Sequence, residues 1–442
     1  MLKNTMNTEH INTLVLGGGI SAIAFAHFYN KNDYLIIEQD DRLGGLCKSF
    51  KVGDSIFDYS GHFMHFNNPD MKEYIMSLMS KHATGEFKAY DRVAGIAMLY
   101  KGRVERVIDY PFQANIHQLE YVSFIKCLVD LYNASKLHAP DTATLKTFDE
   151  LVRSVFGNAI TDLFFKPYNE KLYKIPLTEM DANAMKRFIP KVTFDEVINN
   201  FIESKEFGYN SQFLYSPTTG IQGVIDAFLK EKELNAALNE KIVAIDTVRK
   251  TVTTDKRTIT YDTLINTLPI DLFNKLAKHD PLDLKSVDVH VYNITFESNS
   301  SHGENFCWLY FPGEVPFYRV GFYNHMSGKE DTSVYVEMST RHNSDEEALT
   351  MEEMIQKLMK AGVIFGGAPV KDSQKLVISP AYAILEPDTE EKVSTYRKIL
   401  EEVDVHCTGR YSTWNYQSIE DNILDAQSLA IKLNNRNERS NI

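Results

Sequence analysis

Cysteine is scarce: the 442-residue chain has four, Cys47, Cys127, Cys307 and Cys407, none at the close spacing of a zinc ligand set or a disulfide framework. A reducing, cytoplasmic setting and no metal site are the expectations. Long apolar runs are missing too, since none approaches the ~20 residues that cross a bilayer. The polar stretch 1–10 lacks the basic, apolar and small-residue regions of a secretory leader. Positive charge is in the minority. Lys plus Arg number 47 against 60 Asp plus Glu, a net −13, which argues against nucleic acid or an anionic membrane as partner and requires any anionic ligand to be held locally. There is no internal repeat and no low-complexity linker. What is present, 43% hydrophobic and 24% charged residues over a length of two or three domains, is the make-up of an ordinary folded protein.

The run Asn12 to Leu16, then Gly17-Gly18-Gly19, then Ser21 to Ala26 reads strand, tight turn, helix, and a second strand, Tyr34 to Ile37, stops at Glu38. Helical spacing runs from Ile116 to about Lys191. A period of two marks Ser286 to Thr340, and Lys101-Gly102 signals a hairpin that could join that sheet. Strands at Lys241 to Asp246 and Tyr261 to Thr267, and a final strand, glycine turn and helix from Val403, return to an α/β layer. The expected fold is α/β. It comprises a Rossmann-like nucleotide domain (1–90, 206–280, 376–442), an inserted helical domain (116–205) and an antiparallel β-sheet substrate domain (281–375, with the hairpin 91–115). Polar, glycine-containing stretches at Ser298 to Glu304 and Asn324 to Glu330 are expected to be mobile closing segments.

Gly17-x-Gly19-x-x-Ala22 lies between strand and helix, where small residues let the backbone approach a pyrophosphate at the helix N-terminus. Glu38 follows about 20 residues on, placed to accept hydrogen bonds from ribose hydroxyls. Arg42-Leu43-Gly44-Gly45-Leu46 adds a second glycine pair that is unnecessary for NAD but resembles that of FAD-dependent amine oxidases and desaturases, so the resemblance favours FAD. Arg42 could equally be a solvated surface charge.

Five further segments, in order, resemble the UDP-galactopyranose mutases, particularly the branch typical of eukaryotes: Asp58-Tyr59-Ser60-Gly61-His62-Phe63; Tyr110-Pro111-Phe112-Gln113; Phe165-Lys166-Pro167-Tyr168-Asn169 through Tyr173; Cys307 to Pro312 with Pro316 to Arg319; and Gly409-Arg410 through Tyr416. The resemblance implies that Arg319 and Arg410 hold a substrate diphosphate with Tyr382 and Tyr416. It puts Gln113, Phe165, Tyr168, Asn169 and Tyr173 at the uridine and sugar end, and Gly61, His62 and Phe63 against the flavin, with His62, Arg319 and Arg410 as the catalytic set. With the fingerprint, the implied cofactor residues are Gly17, Gly19, Ile20, Ser21, Glu38, Gln39, Arg42, Gly44, Gly45, Leu46, Gly61, His62, Phe63, Val243, Thr267, Gly409, Asp421 and Asn422. Guanidinium suits such a clamp because it is always charged and forks onto phosphate oxygens. From residue type alone, Arg319 could instead be a cation–π partner, Arg410 could serve the cofactor, and the tyrosines and His62 could be packing residues.

The implied activity is a mutase that interconverts pyranose and furanose forms of a UDP-sugar, through attack of reduced FAD N5 on the anomeric carbon. Its flavin would be reduced by NAD(P)H, its product would serve surface glycans, and its assembly is compatible with a homo-oligomer. The chain departs from the family pattern at Tyr173 (usually Trp), Met326 (commonly Tyr), Ser60 (a loop Gly) and Ser418 to Asn422, which opens the sugar's identity. The rival readings are an FAD oxidoreductase of the amine oxidase or desaturase type and a catalytically silent nucleotide-sugar-binding flavoprotein.

Overall fold

The computed structural model describes residues 8–136, 145–184, 189–190, 192–202, 212–297, 300–301, 303 and 305–438. Strand Thr8–Leu16 feeds helix Ile20–Phe28, and strand Tyr34–Ile37 returns parallel to the first, Leu14 beside Leu35 and Leu16 beside Ile37. All four residues of the second strand are buried, as a strand covered on both faces requires. On the helix, Ala22, Ala24 and Ala26 are fully buried, and these short side chains let helix Ile419–Glu438 pack closely through Ile423, Ala426 and Ala430. The sheet runs in the order Ile242–Asp246, Thr251–Thr254, Thr258–Asn266, Thr8–Leu16, Tyr34–Ile37, Ala236–Ala237, with Val405–Cys407 also parallel to Thr258–Asn266. The C-terminal ends of its parallel strands therefore converge on the Gly17 turn.

A second sheet runs Val370–Ile384, Lys285–Phe296, Thr332–Arg341, Arg319–Phe322, Trp308–Tyr310, Ala94–Tyr100, Arg103–Asp109. It is antiparallel except where Trp308–Tyr310 lies parallel to Ala94–Tyr100. Its strand Lys285–Phe296 alternates. Val287, Val289 and Val291 join the core shared with the helices, while Tyr292, Ile294 and Phe296 join another core with Met354 and Leu358 of helix Met351–Ala361. Strand Val370–Ile384 stays in this sheet past residue 375, because its pairing with Lys285–Phe296 continues to Lys285 opposite Ile384. The sequence reading returned the chain to the nucleotide layer too early there.

Helices Tyr121–Lys136, Phe148–Ile160, Lys166–Tyr173 and Phe194–Ile202 form a layer against that sheet. Helix Phe148–Ile160 begins with reciprocal bonds between Thr147 and Glu150 and breaks at Gly157, after which Thr161–Phe165 winds as a wider π turn. Asn324 to Glu330 is not free of its surroundings: helix Asn324–Ser327 starts it, and the Asn324 amide donates to the carbonyls of Asp331 at 2.6 Å and Lys329 at 3.1 Å. Part of Ser298 to Glu304 lies outside the described residues.

Candidate active site

The glycine turn shapes a cavity of about 570 Å³. Gly17 has φ +88, and a side chain there would strike the Thr267 hydroxyl. Gly18 N–H donates to Glu38 Oε2 at 2.6 Å, and Asp40 N–H to Oε1 at 2.8 Å, which fixes the buried carboxylate at the end of its strand. Helix Ile20–Phe28 starts at Gly19 with no side-chain cap, and a Cβ at Gly19 would meet open space. Its first N–H groups and their partial positive charge thus face the cavity. Gly45 lies so close to Gly19 that a side chain would come within 2.9 Å of the Gly19 Cα, and Gly44 holds φ +128, so contact between two turns requires the one glycine and backbone conformation the other. Across the cavity, Asn422 Oδ1 accepts from Ser21 Oγ at 3.0 Å and from Arg410 N–H at 2.8 Å, pinning the Gly409 turn (φ +94) to the first helix.

A second cavity, about 410 Å³, opens between the second sheet and the helices. The two cavities share Gly61, His62, Phe63, His65, Arg410, Gln417 and Ser418 as a common wall. Burial, then the neighbouring Arg410, pushes the His62 imidazole down to about 4, so it is neutral near pH 7. Its Nδ1 is buried without a hydrogen-bond partner among the described residues. Gly61 must lack a side chain because a Cβ would lie 2.3 Å from the Tyr335 hydroxyl.

The two arginines differ. Arg319 is engaged in a two-point ion pair with Glu337, Nε to Oε2 and Nη2 to Oε1, the latter at 2.8 Å, and Glu337 is only 1% exposed. Arg410 has no carboxylate partner among the described residues. Its guanidinium lies 5.3, 5.7 and 5.4 Å from the ring centroids of Tyr382, Tyr411 and Tyr416, and Nη1 donates to the Gln417 carbonyl at 3.4 Å. Cation–π attraction holds such a cation without cancelling its charge.

All nine sequence-predicted substrate residues, Gln113, Phe165, Tyr168, Asn169, Tyr173, Arg319, Tyr382, Arg410 and Tyr416, line the second cavity. Tyr416 does so in another capacity than expected. Its hydroxyl proton goes to the Ala383 carbonyl and it also bonds Tyr173, so it has no proton to donate to a phosphate. The Tyr382 hydroxyl has no hydrogen bond among the described residues and can donate. The Gln113 amide donates to the Pro190 carbonyl at 2.7 Å and the Asn169 amide to the Phe165 carbonyl at 2.6 Å, which leaves their oxygens as acceptors beside Phe164 and Phe165.

Of the predicted cofactor residues, Gly17, Gly19, Ile20, Ser21, Glu38, Gln39, Gly44, Gly45, Leu46, Gly61, His62, Phe63, Thr267, Gly409 and Asn422 line the first cavity. Three do not. Arg42 is exposed and donates to the Ser49 carbonyl at 3.1 Å, Val243 is exposed on a short strand, and Asp421 receives Ser418 N–H at 2.7 Å as a helix-start cap. Sequence reasoning missed Glu337 and Arg92. Glu337 carries a signal, a lone acid within the apolar strand Thr332–Arg341 whose other inner residues are all buried. Arg92, 4.9 Å from the Tyr110 ring, lies in a segment without such a pattern. Among the described residues no group of three or more His, Cys, Asp or Glu could hold a metal ion, and no helix is long and apolar enough to cross a membrane.

The family model described as flavin containing amine oxidoreductase matches residues 26–369. Among curated proteins, the chain is 21% identical over 250 residues to a "Probable UDP-galactopyranose mutase" of Klebsiella pneumoniae, covering 54% of this chain and 57% of that one. It is 23% identical over 192 residues to a dTDP-fucopyranose mutase of Escherichia coli, covering 41% and 47%. The chain thus spans about half the length of the curated relatives it matches. Among solved structures, reduced UDP-galactopyranose mutase superposes with a TM-score of 0.83 at 20% identity, covering 95% of this chain and 93% of that one. A putrescine oxidase superposes at 0.63 with 14% identity, covering 97% and 99%. At these identities the likeness is one of fold.

Proposed function

The chain belongs to the flavin-containing amine oxidoreductase family, and from that premise we propose that it is a flavin-dependent mutase interconverting the pyranose and furanose forms of a nucleotide sugar, UDP-galactopyranose or a close relative. The observation that carries the reading is the common wall: a nucleotide-type cavity and a second cavity meet at His62 and Arg410, and Arg410 is a half-buried cation with no carboxylate partner among the described residues. The curated relatives named as mutases of UDP- and dTDP-sugars support it.

The residues of the first cavity fit FAD. The uncapped N-terminus of helix Ile20–Phe28 suits the pyrophosphate, the buried Glu38 carboxylate suits the ribose, and the Gly61-His62-Phe63 loop would lie at the isoalloxazine end. When bound in reduced form, FAD supplies at N5 the nucleophile for the anomeric carbon, with NAD(P)H as the proposed source of electrons.

The chain's own residues bind, orient and shield. Arg410, in a low-dielectric box of three tyrosine rings, stabilises charge that develops on a departing diphosphate more strongly than an exposed cation would. Tyr382 donates to the same oxygens. Gln113 and Asn169 offer acceptors to a pyrimidine N3–H, and the Phe164 and Phe165 rings offer it an apolar wall. Trp308, stacked on Phe63 with centroids 5.7 Å apart, keeps water from the shared wall. Neutral His62 adds no charge there. An amine substrate would face the unneutralised Arg410 cation, which favours the mutase over an amine oxidase.

The test is to incubate dithionite-reduced protein with UDP-galactopyranose, and separately with dTDP-fucopyranose, and to separate the products chromatographically. A furanose product from either supports the reading. No product together with no UDP binding overturns it.

A further inference from the structure

Arg319 and Glu337 stand directly opposite each other on neighbouring antiparallel strands, and their fork leaves only Nη1 of the guanidinium without a hydrogen bond among the described residues. The Ser60 hydroxyl completes the cluster. It donates to Glu337 Oε1 and accepts from Arg319 Nη2 at 3.3 Å. Ser60 is also tied to the shared wall through its backbone, because its carbonyl accepts the His62 N–H at 2.7 Å across Gly61. One buried residue, 6% exposed, is thus bonded at its hydroxyl to the arginine pair and at its carbonyl to the histidine between the cavities.

We propose that Ser60 is a positioning residue that couples Arg319, on the substrate side, to the His62 loop on the flavin side, with Glu337 holding the arginine for it. The proposal rests on the mutase reading for the identity of the anion. Arg319 and Glu337 together are electrically neutral, so the net cation offered to a diphosphate is Arg410, while Arg319 contributes one amino group in a fixed direction. Any pull of an anion on that amino group acts against the Glu337 fork and the Nη2 to Ser60 bond. Movement of Ser60 then carries the His62 amide with it, since only Gly61 intervenes. Substrate occupancy is therefore registered at the face of the flavin cavity by a chain of three hydrogen bonds. A glycine at position 60 has no hydroxyl and could not make this link.

The experiment uses the flavin-loaded protein and two readouts: UDP affinity by calorimetry and the change in the flavin absorption spectrum at saturating UDP. The unmodified protein should bind UDP with a clear spectral change. Ser60→Ala removes the hydroxyl's bonds to Glu337 and Arg319 but no direct contact with the diphosphate, so it should bind UDP with affinity reduced by no more than about tenfold and with the saturating spectral change cut by about half or more. Arg319→Lys, which removes the Nη2 contact to Ser60 and keeps the charge, should show the same uncoupling and serves if Ser60→Ala fails to retain flavin. A full spectral change in these variants at saturation overturns the coupling alone, as does UDP binding to the unmodified protein without a spectral change. If the unmodified protein binds no UDP, the mutase reading falls and the coupling falls with it.

Discussion

The two arginines of the second cavity look alike in sequence and differ in chemistry. Arg410 lies among tyrosine rings with no opposing carboxylate among the described residues, whereas Arg319 is matched by the buried Glu337. Arg410→Ala should therefore weaken UDP binding by about 1.5 to 3 kcal/mol, roughly 10- to 100-fold, as for a charge-assisted bond, with Arg319→Ala weakening it less; calorimetric titration of both variants compares them. A second residue-scale outcome concerns pH. Burial drives the Asp58 carboxyl up from 3.8 to about 7, and drives His27, His62 and His65 down from 6.5 to about 4. Folded Asp58 keeps a proton that the unfolded chain has released, so stability is lost as pH rises from about 4 to about 7. The histidines have released a proton that the unfolded chain keeps, so stability is lost as pH falls from about 6.5 to about 4. Asp58→Asn removes the first effect and leaves the second. Its stability relative to the unmodified protein, followed by thermal unfolding, should be more favourable at pH 8 than at pH 5 by on the order of a few kcal/mol. Equal differences at the two pH values would contradict the assignment.

At the scale of elements, the helical layer turns on one break. Gly157 has φ +81 and ψ 175, a region essentially restricted to glycine, and a side chain would come within 2.6 Å of Asp130 Cβ. The break lets the chain turn into the π turn Thr161–Phe165 and helix Lys166–Tyr173, which together place Phe165, Tyr168, Asn169 and Tyr173 on the cavity. Gly157→Ala should cost about 1 to 3 kcal/mol of stability in thermal unfolding, and an unchanged melting temperature would show that the break is relaxed. The sequence signals helix through this whole segment. The exclusion of a side chain at Gly157 depends on Asp130 of another helix. Gly45 is similar: legible as part of a turn, but required because that turn touches Gly19.

For the whole molecule, the flavin cavity draws its lining from both ends of the chain, from Gly17 to Asn422. A ligand that binds only the folded form adds stability according to its saturation, about 2.7 kcal/mol at 100 times its Kd. Stripping the flavin should therefore lower the melting temperature, and FAD added back should restore it in a concentration-dependent way, while UDP should raise it further only through the second cavity. A flavin-free protein as stable as the loaded one would place FAD elsewhere.

Adjacent residues were enough to read the Gly17 turn, its flanking strand and helix, the acid at Glu38 and the alternation of Lys285–Phe296, because each depends on backbone preference or periodicity over a few positions. The candidate site was legible as a set of residue types in segments whose order resembles a known family. Their meeting was not. Asn422 reaches Ser21 across 401 positions, and Ser60 reaches Glu337 across 277. Likewise Arg319 and Glu337 face each other through strand register, and the Tyr416 proton is taken by Ala383 of strand Val370–Ile384. Whether a guanidinium is neutralised or a hydroxyl has a proton to give is decided by partners that only the packed structure supplies, since an electrostatic or hydrogen-bond interaction depends on distance in space and not along the chain.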